Sequence, residues 1–312
     1  MDLQATTFTL ADLRARAGGG GPIPPEVRLG VLGSPVEHSL SPAMHNAALT
    51  ALGLDARYAK IECPVEHLAE AVTLARTAGF LGLNLTIPHK IAALEICTEL
   101  DETARQLGAV NTLLLHGESI AGFNTDGPGF VRAIRDVFSF DLRDLRVMIL
   151  GAGGGAGSAV ALQCALERCP HLVLVNRTED KARDVAKRAF QILQTDRLEG
   201  PSDPVTVIPW TDQALREQLP RIDLVINATS LGMKRSDPRL VAAGLLTPDL
   251  MVYDMVYRPA VTRLLEDANS AGARTTNGLS MLLHQGALSL EIWLNRPAPV
   301  EAMRRALEEA AA

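Results

Sequence analysis

Nothing in these 312 residues attracts a phosphate polymer: the formal net charge is -6, and no basic run is interleaved with aromatics, which make up only 4% of the chain. Nucleic acid is therefore not an expected partner. The cysteines Cys63, Cys97, Cys164 and Cys169 form no C-x-x-C pair and no metal-like pairing with histidine. They read as reduced thiols in a cytoplasmic protein, and no metal site is expected. No apolar signal-peptide core is expected at the N-terminus, where Asp2, Asp12, Arg14 and Arg16 interrupt the pattern. Residues 147–166 carry no charge and have the length of a membrane span, but five of residues 151–157 are glycine. Such a segment makes a poor helix, and it reads instead as a buried strand, a tight turn and a helix start, so no membrane is expected. Lysine is also scarce, five residues against 25 arginines.

What is present describes a globular chain, 47% apolar and 21% charged, long enough for two domains with a core each. Residues 1–26 end in GGGGPIPP and read as an N-terminal extension and linker. After them VRLGVLG, PAMHNAALTALG, ARYAKIEC, a helix over about 65–78 and FLGLNLTIP alternate strand-like and helix-like patterns, which predicts parallel βα units. A second series begins with LRVMILG and continues through HLVLVN, VTVIPW, DLVINATS and MVYDMV, before helical patterns at 261–271 and 280–294. The fold class is α/β, in two domains, the second a nucleotide-binding unit.

Gly151, Gly153 and Ala156 match G-x-G-x-x-G/A directly after a predicted strand, with the tight turn, the pyrophosphate approach and helix–strand packing assigned to them in that order. At the end of the next strand, where an NAD site places a carboxylate, the chain has Asn176, Arg177 and Thr178, with Lys181 one turn on. Basic and hydroxyl groups suit a 2′-phosphate, so the cofactor expected is NADP. In HSLSP, Ser41 before Pro42 reads as a helix N-cap, while Ser39 reads either as a second donor for an anion or as a turn serine. NLTIPHK places Asn84 and Thr86 on one face of a strand end and Lys90 after the proline turn. Where arginine is the default cation, a lysine is a candidate proton donor. Asn111 in GAVNT and Asp126 in NTDG are expected in loops.

HSLSP, NLTIPHK, GAVNT, NTDG, GAGG, NRT, NATSLGM, YDMVY and NGLSMLLHQ, in this order from about residue 30 to 293, resemble the shikimate dehydrogenase family. The resemblance implies an α/β substrate domain at 27–125 plus 278–312, a Rossmann-type doubly wound NADP-binding domain at 126–277, and an active site in the cleft between them. It implies reversible NADPH-dependent reduction of 3-dehydroshikimate to shikimate in aromatic amino-acid biosynthesis, with Lys90 and Asp126 as the catalytic pair. Ser39, Ser41 and Tyr257 would hold the substrate carboxylate. Asn84, Thr86, Asn111, Asp126 and Gln285 would bind ring hydroxyls, with Lys90 beside them. Gly151, Ala152, Gly153, Gly154, Gly155, Ala156, Asn176, Arg177, Thr178, Lys181, Thr229, Met255 and Gly278 would line the cofactor site. The expected partner is a small molecule, and the expected assembly a homodimer. Arg258 stands where many relatives have asparagine, and residues 1–26 have no counterpart in the family. An NAD-dependent quinate/shikimate dehydrogenase and a non-catalytic dinucleotide-responsive protein are the alternatives.

Overall fold

The computed structural model describes residues 6–194 and 204–312. Two compact units divide the chain: one runs to Gly129 and takes up Leu282–Ala312 again, and the other is Phe130–Met281.

The first unit is built on a seven-stranded sheet. Its strands are β1 (Thr7–Thr9), β2 (Val27–Gly33), β3 (Arg57–Glu62), β4 (Gly82–Leu85), β5 (Glu99–Leu100), β6 (Thr112–His116) and β7 (Ser119–Phe123), in the order β1-β3-β2-β4-β6-β7-β5. Between them run α1 (Leu10–Ala17), α2 (Ser41–Ala51), α3 (Leu68–Thr77), α4 (His89–Ala92) and α5 (Glu102–Leu107). β4 is buried throughout and β2 nearly so, as expected where a parallel strand is covered on both faces.

The strands expected to be parallel, β2, β3 and β4, are so, but two of the six neighbouring pairs in this sheet are antiparallel. β6 is antiparallel to β4, and β7 is antiparallel to β6. His116 pairs with Ser119 across a two-residue turn in which Gly117 has φ +57. So short a link can only join antiparallel neighbours, and the positive φ matches the twist that such a hairpin needs.

The N-terminal segment is not an appendage, and the reading of residues 1–26 is corrected here for residues 6–26, since residues 1–5 lie outside the described ones. Thr7, Phe8 and Thr9 pair in parallel with Lys60, Ile61 and Glu62. A capping box starts α1: Asp12 N donates to Thr9 Oγ1 (3.3 Å) and Thr9 N donates to Asp12 Oδ2 (2.8 Å). Phe8, Leu13 and Ile23 are buried in the same core as Ile61, Leu83 and Leu113. The glycine–proline run is the connection between α1 and β2.

The second unit carries a six-stranded sheet of β8 (Arg146–Leu150), β9 (His171–Val175), β10 (Val205–Ile208), β11 (Leu224–Asn227), β12 (Met251–Asp254) and β13 (Arg274–Asn277). Every neighbouring pair is parallel, in the order β10-β9-β8-β11-β12-β13. Counted from its first strand this is the doubly wound order 3-2-1-4-5-6, and the strand order reverses between β8 and β11, where such folds bind dinucleotides. Its helices are α6 (Asp126–Phe138), which starts in the first unit, α7 (Gly155–Leu166), α8 (Glu179–Gln194), α9 (Asp212–Gln218) and α10 (Arg263–Ser270). The charge-free run 147–166 divides into β8, a turn and α7, and among the described residues no helix is long and apolar enough to cross a membrane. The chain then returns to the first unit through α11 (Leu279–Leu294) and α12 (Val300–Ala311).

Burial of Leu13 separates an integrated N-terminus from a tethered one. Leu13→Ala is expected to cost about 2–5 kcal/mol in urea unfolding, the usual loss for a buried leucine, whereas a residue on an appendage would change stability by less than about 0.5 kcal/mol.

Candidate active site

Five of the residues singled out in the sequence meet in the first unit through direct hydrogen bonds. Lys90, on the short α4 that follows Pro88, places Nζ 2.6 Å from Asp126 Oδ2. Asp126 is not in a loop, as expected, but opens α6. It is carried there by Asn124, whose Oδ1 accepts from the backbone N–H groups of Asp126 (3.1 Å) and Gly127 (3.3 Å). Asn111, directly before β6, donates from Nδ2 to Asp126 Oδ1 (3.0 Å), Thr125 Oγ1 (2.9 Å) and Gln285 Oε1 (3.4 Å). Gln285 comes this close because Gly129 lacks a side chain: a Cβ there would lie 2.7 Å from Gln285 N. Asn84, at the end of β4, is buried and occupied by protein partners. Its Oδ1 accepts from the Tyr58 hydroxyl, and its Nδ2 donates to Asn111 O (3.2 Å). Thr86 packs its methyl group in the space beside Gly33, and no hydrogen bond joins its side chain to this cluster.

The serine pair is arranged differently from the expectation. Ser41 is the first residue of α2, not its cap: Leu40 precedes it in helical conformation (φ -87, ψ -4) without a side-chain cap bond, and Ala43 N donates to Leu40 O. Leu40 is buried, which draws the chain into the helix one residue early. It is Ser39 Oγ that accepts from the helix start, from Ser41 N at 3.3 Å. Leu40 is therefore not extended, and the shared facing of the two hydroxyls does not follow from strand alternation. Ser41 is buried, as is Tyr58, whose hydroxyl donates to Asn84 Oδ1.

The second unit holds a cavity of about 700 Å³ at the carboxyl ends of β8 and β11, lined by Gly151, Gly153, Gly154, Asn176, Arg177, Thr178, Lys181 and Thr229 among others. Gly151 turns at φ +87, and the Thr229 methyl lies where its Cβ would stand. The helix–strand packing role assigned to Ala156 belongs to Gly157. A Cβ on Gly157 would lie 2.2 Å from Gly151 O, whereas Ala156 is exposed on the first turn of α7. The close contact therefore lies one residue later than the motif places it. Gly153 makes room for Lys181 Cβ and Asn176, whose Oδ1 accepts from Gly153 N (3.2 Å). Ala152 is buried, while Gly154 and Gly155 are exposed where α7 leaves its first N–H groups without helical acceptors. Arg177 and Lys181 are exposed and in no ion pair among the described residues, while Glu179 between them pairs with Arg183. This cavity suits a dinucleotide with an extra phosphate: backbone donors at the helix start, small residues where a pyrophosphate approaches, and two unpaired cations. Met255 and Gly278 also meet, since a Cβ on Gly278 would lie 2.2 Å from Met255 O. Tyr257 follows β12 in this unit, and burial raises its pKa despite Arg258.

The family model described as the shikimate dehydrogenase substrate binding domain matches residues 31–113, and that of the shikimate 5'-dehydrogenase C-terminal domain matches 278–308. The chain is 44% identical to a shikimate dehydrogenase (NADP(+)) of Methanopyrus kandleri over 90% of its length and 94% of the relative's. The chain belongs to the shikimate dehydrogenase family. A solved shikimate dehydrogenase in complex with NADP+ superposes with a TM-score of 0.83 at 34% identity, covering 93% of this chain and 98% of that one. The enzyme of Thermus thermophilus, solved with NADP(H) and shikimate, gives 0.78 at 34% identity, over 91% and 99%.

For a member of the shikimate dehydrogenase family, the residues that reading the sequence missed are the ones that hold the candidate site groups from behind. Asn124 was available as the asparagine of NTDG two residues ahead of a helix start. Tyr58, His45 and Ser289 carried no signal, because each read as ordinary core or helix. In the second unit Trp210, Ser230 and Arg239 also line the cavity. His45 stacks on Tyr58 with ring centroids 4.3 Å apart, and neither of its ring nitrogens has a hydrogen-bond partner.

Burial pushes the His45 pKa down to about 3. The fold therefore favours the neutral ring, and the unfolded chain, with a histidine pKa near 6.5, binds the additional proton between those values. The stability from His45 is fully present above about pH 6.5 and falls by roughly 1.4 kcal/mol per pH unit as pH drops toward 3. His45→Phe keeps an aromatic ring on Tyr58 and is expected to flatten the stability profile by that slope between pH 6 and 4 in urea titrations. Parallel profiles for the two proteins would show that His45 is not held neutral.

Proposed function

We propose that this chain catalyses the reversible NADPH-dependent reduction of 3-dehydroshikimate to shikimate, within aromatic amino-acid biosynthesis. The observation that carries the chemistry is the Lys90–Asp126 pair at 2.6 Å, with Asn111 on the other carboxylate oxygen. When bound, NADPH supplies the hydride that reduces the C3 carbonyl. Lys90, as an ammonium, donates a proton to the oxygen that becomes the hydroxyl and stabilises its developing charge. Asp126 keeps that ammonium in place and accepts from the neighbouring substrate hydroxyl. Gln285 and Asn111 supply amide groups for the ring hydroxyls, and Ser39 and Ser41, with Tyr257, supply hydroxyls for the carboxylate. Asn84 acts from behind, because its amide is occupied by Tyr58, Asn111, Thr112 and Ser289. Arg177, with Thr178 and Lys181 beside it, takes the 2′-phosphate, and the start of α7 takes the pyrophosphate. The reading makes the partner a small molecule, the location cytoplasmic in keeping with four free thiols, and the assembly a homodimer.

Turnover assays with shikimate and quinate, each with NADP and NAD, test the assignment directly, and shikimate with NADP is expected to be the best combination. Lys90→Ala is expected to lower turnover by about 10²- to 10⁴-fold with a much smaller change in KM. A variant with near-normal turnover would remove Lys90 from the reaction. For the cofactor, two charge-assisted hydrogen bonds at roughly 1.5–3 kcal/mol each imply an NADP preference of about 10²- to 10⁴-fold. Arg177→Asp is expected to raise the KM for NADP steeply and to leave NAD use unchanged or improved. Equal efficiency with both cofactors in the unaltered protein would favour an NAD-dependent quinate/shikimate dehydrogenase.

A further inference from the structure

Behind the polar groups of the first unit lies a continuous chain of buried hydrogen bonds whose direction the partners dictate. Asn84 Nδ2 lies 3.2 Å from the carbonyl oxygen of Asn111, which can only accept, so the amide has one orientation. Its Oδ1 must then accept, and the Tyr58 hydroxyl donates to it at 2.8 Å. The other end of Asn84, Nδ2, also lies 2.9 Å from Ser289 Oγ. Ser289, on α11 and fully buried, has its own hydrogen committed to Gln285 O at 3.0 Å, so toward Asn84 it is an acceptor. Thr112 and Thr125 hydroxyls stand 2.8 and 3.1 Å from the same Ser289 oxygen. Both threonine hydroxyls also bond Asn111 Oδ1. Asn111 in turn holds Asp126.

We propose that Tyr58 and Ser289 are positioning residues of the substrate site, which together hold the Asn84 amide and through it join Asn111 and Gln285 into one rigid surface for the substrate. The proposal rests on the reading of Asn111, Asp126 and Gln285 as substrate ligands. Without the Tyr58 hydroxyl, Asn84 Oδ1 is left buried without its donor, and the amide is held only through Nδ2. Without Ser289, Asn84 Nδ2 loses an acceptor, the Thr112 and Thr125 hydroxyls lose a polar neighbour, and the Gln285 backbone carbonyl loses its link to Asn84. A buried polar network with one member missing is free to rearrange, and the rearrangement falls on the groups that face the substrate. The cofactor groups in the second unit take no part in this network, so a defect confined to shikimate is the distinctive result.

The test is steady-state kinetics on Tyr58→Phe, Ser289→Ala and the double variant, with thermal melts as a check on folding. Each single variant is expected to raise the shikimate KM by roughly 3- to 30-fold, the size of one or two mispaired buried groups, with the NADP KM changed less than about twofold. Because both act through Asn84, the double variant is expected to fall well short of the product of the single effects. An unchanged shikimate KM in a folded variant overturns the proposal, as does a parallel rise in both KM values or a fully multiplicative double variant. Tyr58→Phe retains the ring stacked on His45 and decides the matter alone if Ser289→Ala does not fold. If Lys90→Ala is inactive while Tyr58→Phe is normal, the network proposal fails and the reading of the site stands. If Lys90→Ala is fully active, it is the reading of the site that fails.

Discussion

The Asn111 carboxamide has a single orientation open to it, and the candidate active site depends on that. Its Oδ1 accepts from Thr125 N at 2.8 Å, a backbone donor that cannot reverse its role, so Nδ2 must face Asp126. One carboxylate oxygen is thereby fixed, and the other is left for Lys90. Asn124 then fixes the backbone of the same aspartate at the start of α6. A flexible lysine on a helix of only four residues is held in register by a carboxylate that has no freedom of its own.

The second unit reaches its binding geometry through close approach rather than hydrogen bonding. Gly157 lets α7 sit against the turn that follows β8, and Gly151 makes the turn itself. Both sit at the edge of β8, beside the point where the sheet order reverses, and a crevice forms there because successive helices cover opposite faces of the sheet. The cations at the end of β9 are exposed and unpaired, while Glu179 among them is neutralised by Arg183, so the local field favours an added phosphate.

Several elements were legible from residue pattern alone. VRLGVLG is β2 over its full length, and the six-stranded sheet was visible as a series of apolar runs, except for β13, whose residues RTTN carry no apolar signal. The hairpin of β6 and β7 was missed because its polar ends, GAVNT and GFNTDG, drew attention away from the apolar LLL between them. The N-terminal strand was missed for a different reason. TFT is too short to show alternation, and its place in the sheet depends on the partner β3, some fifty residues on.

The sequence by itself determined the residue types and their order: a lysine after a proline turn, amides and an aspartate at the borders of apolar runs, a glycine turn after a buried strand, and basic residues where a carboxylate would select NAD. Those depend on short-range patterns, and short-range patterns survive in one dimension. Tertiary structure alone decided which hydroxyl meets the start of α2, which glycine takes the tight contact, and that Tyr58 and Ser289 hold the Asn84 amide. Each of these depends on distances between segments far apart in the chain, such as Asn84 and Ser289, and a hydrogen bond acts only when its two atoms are brought within about 3 Å.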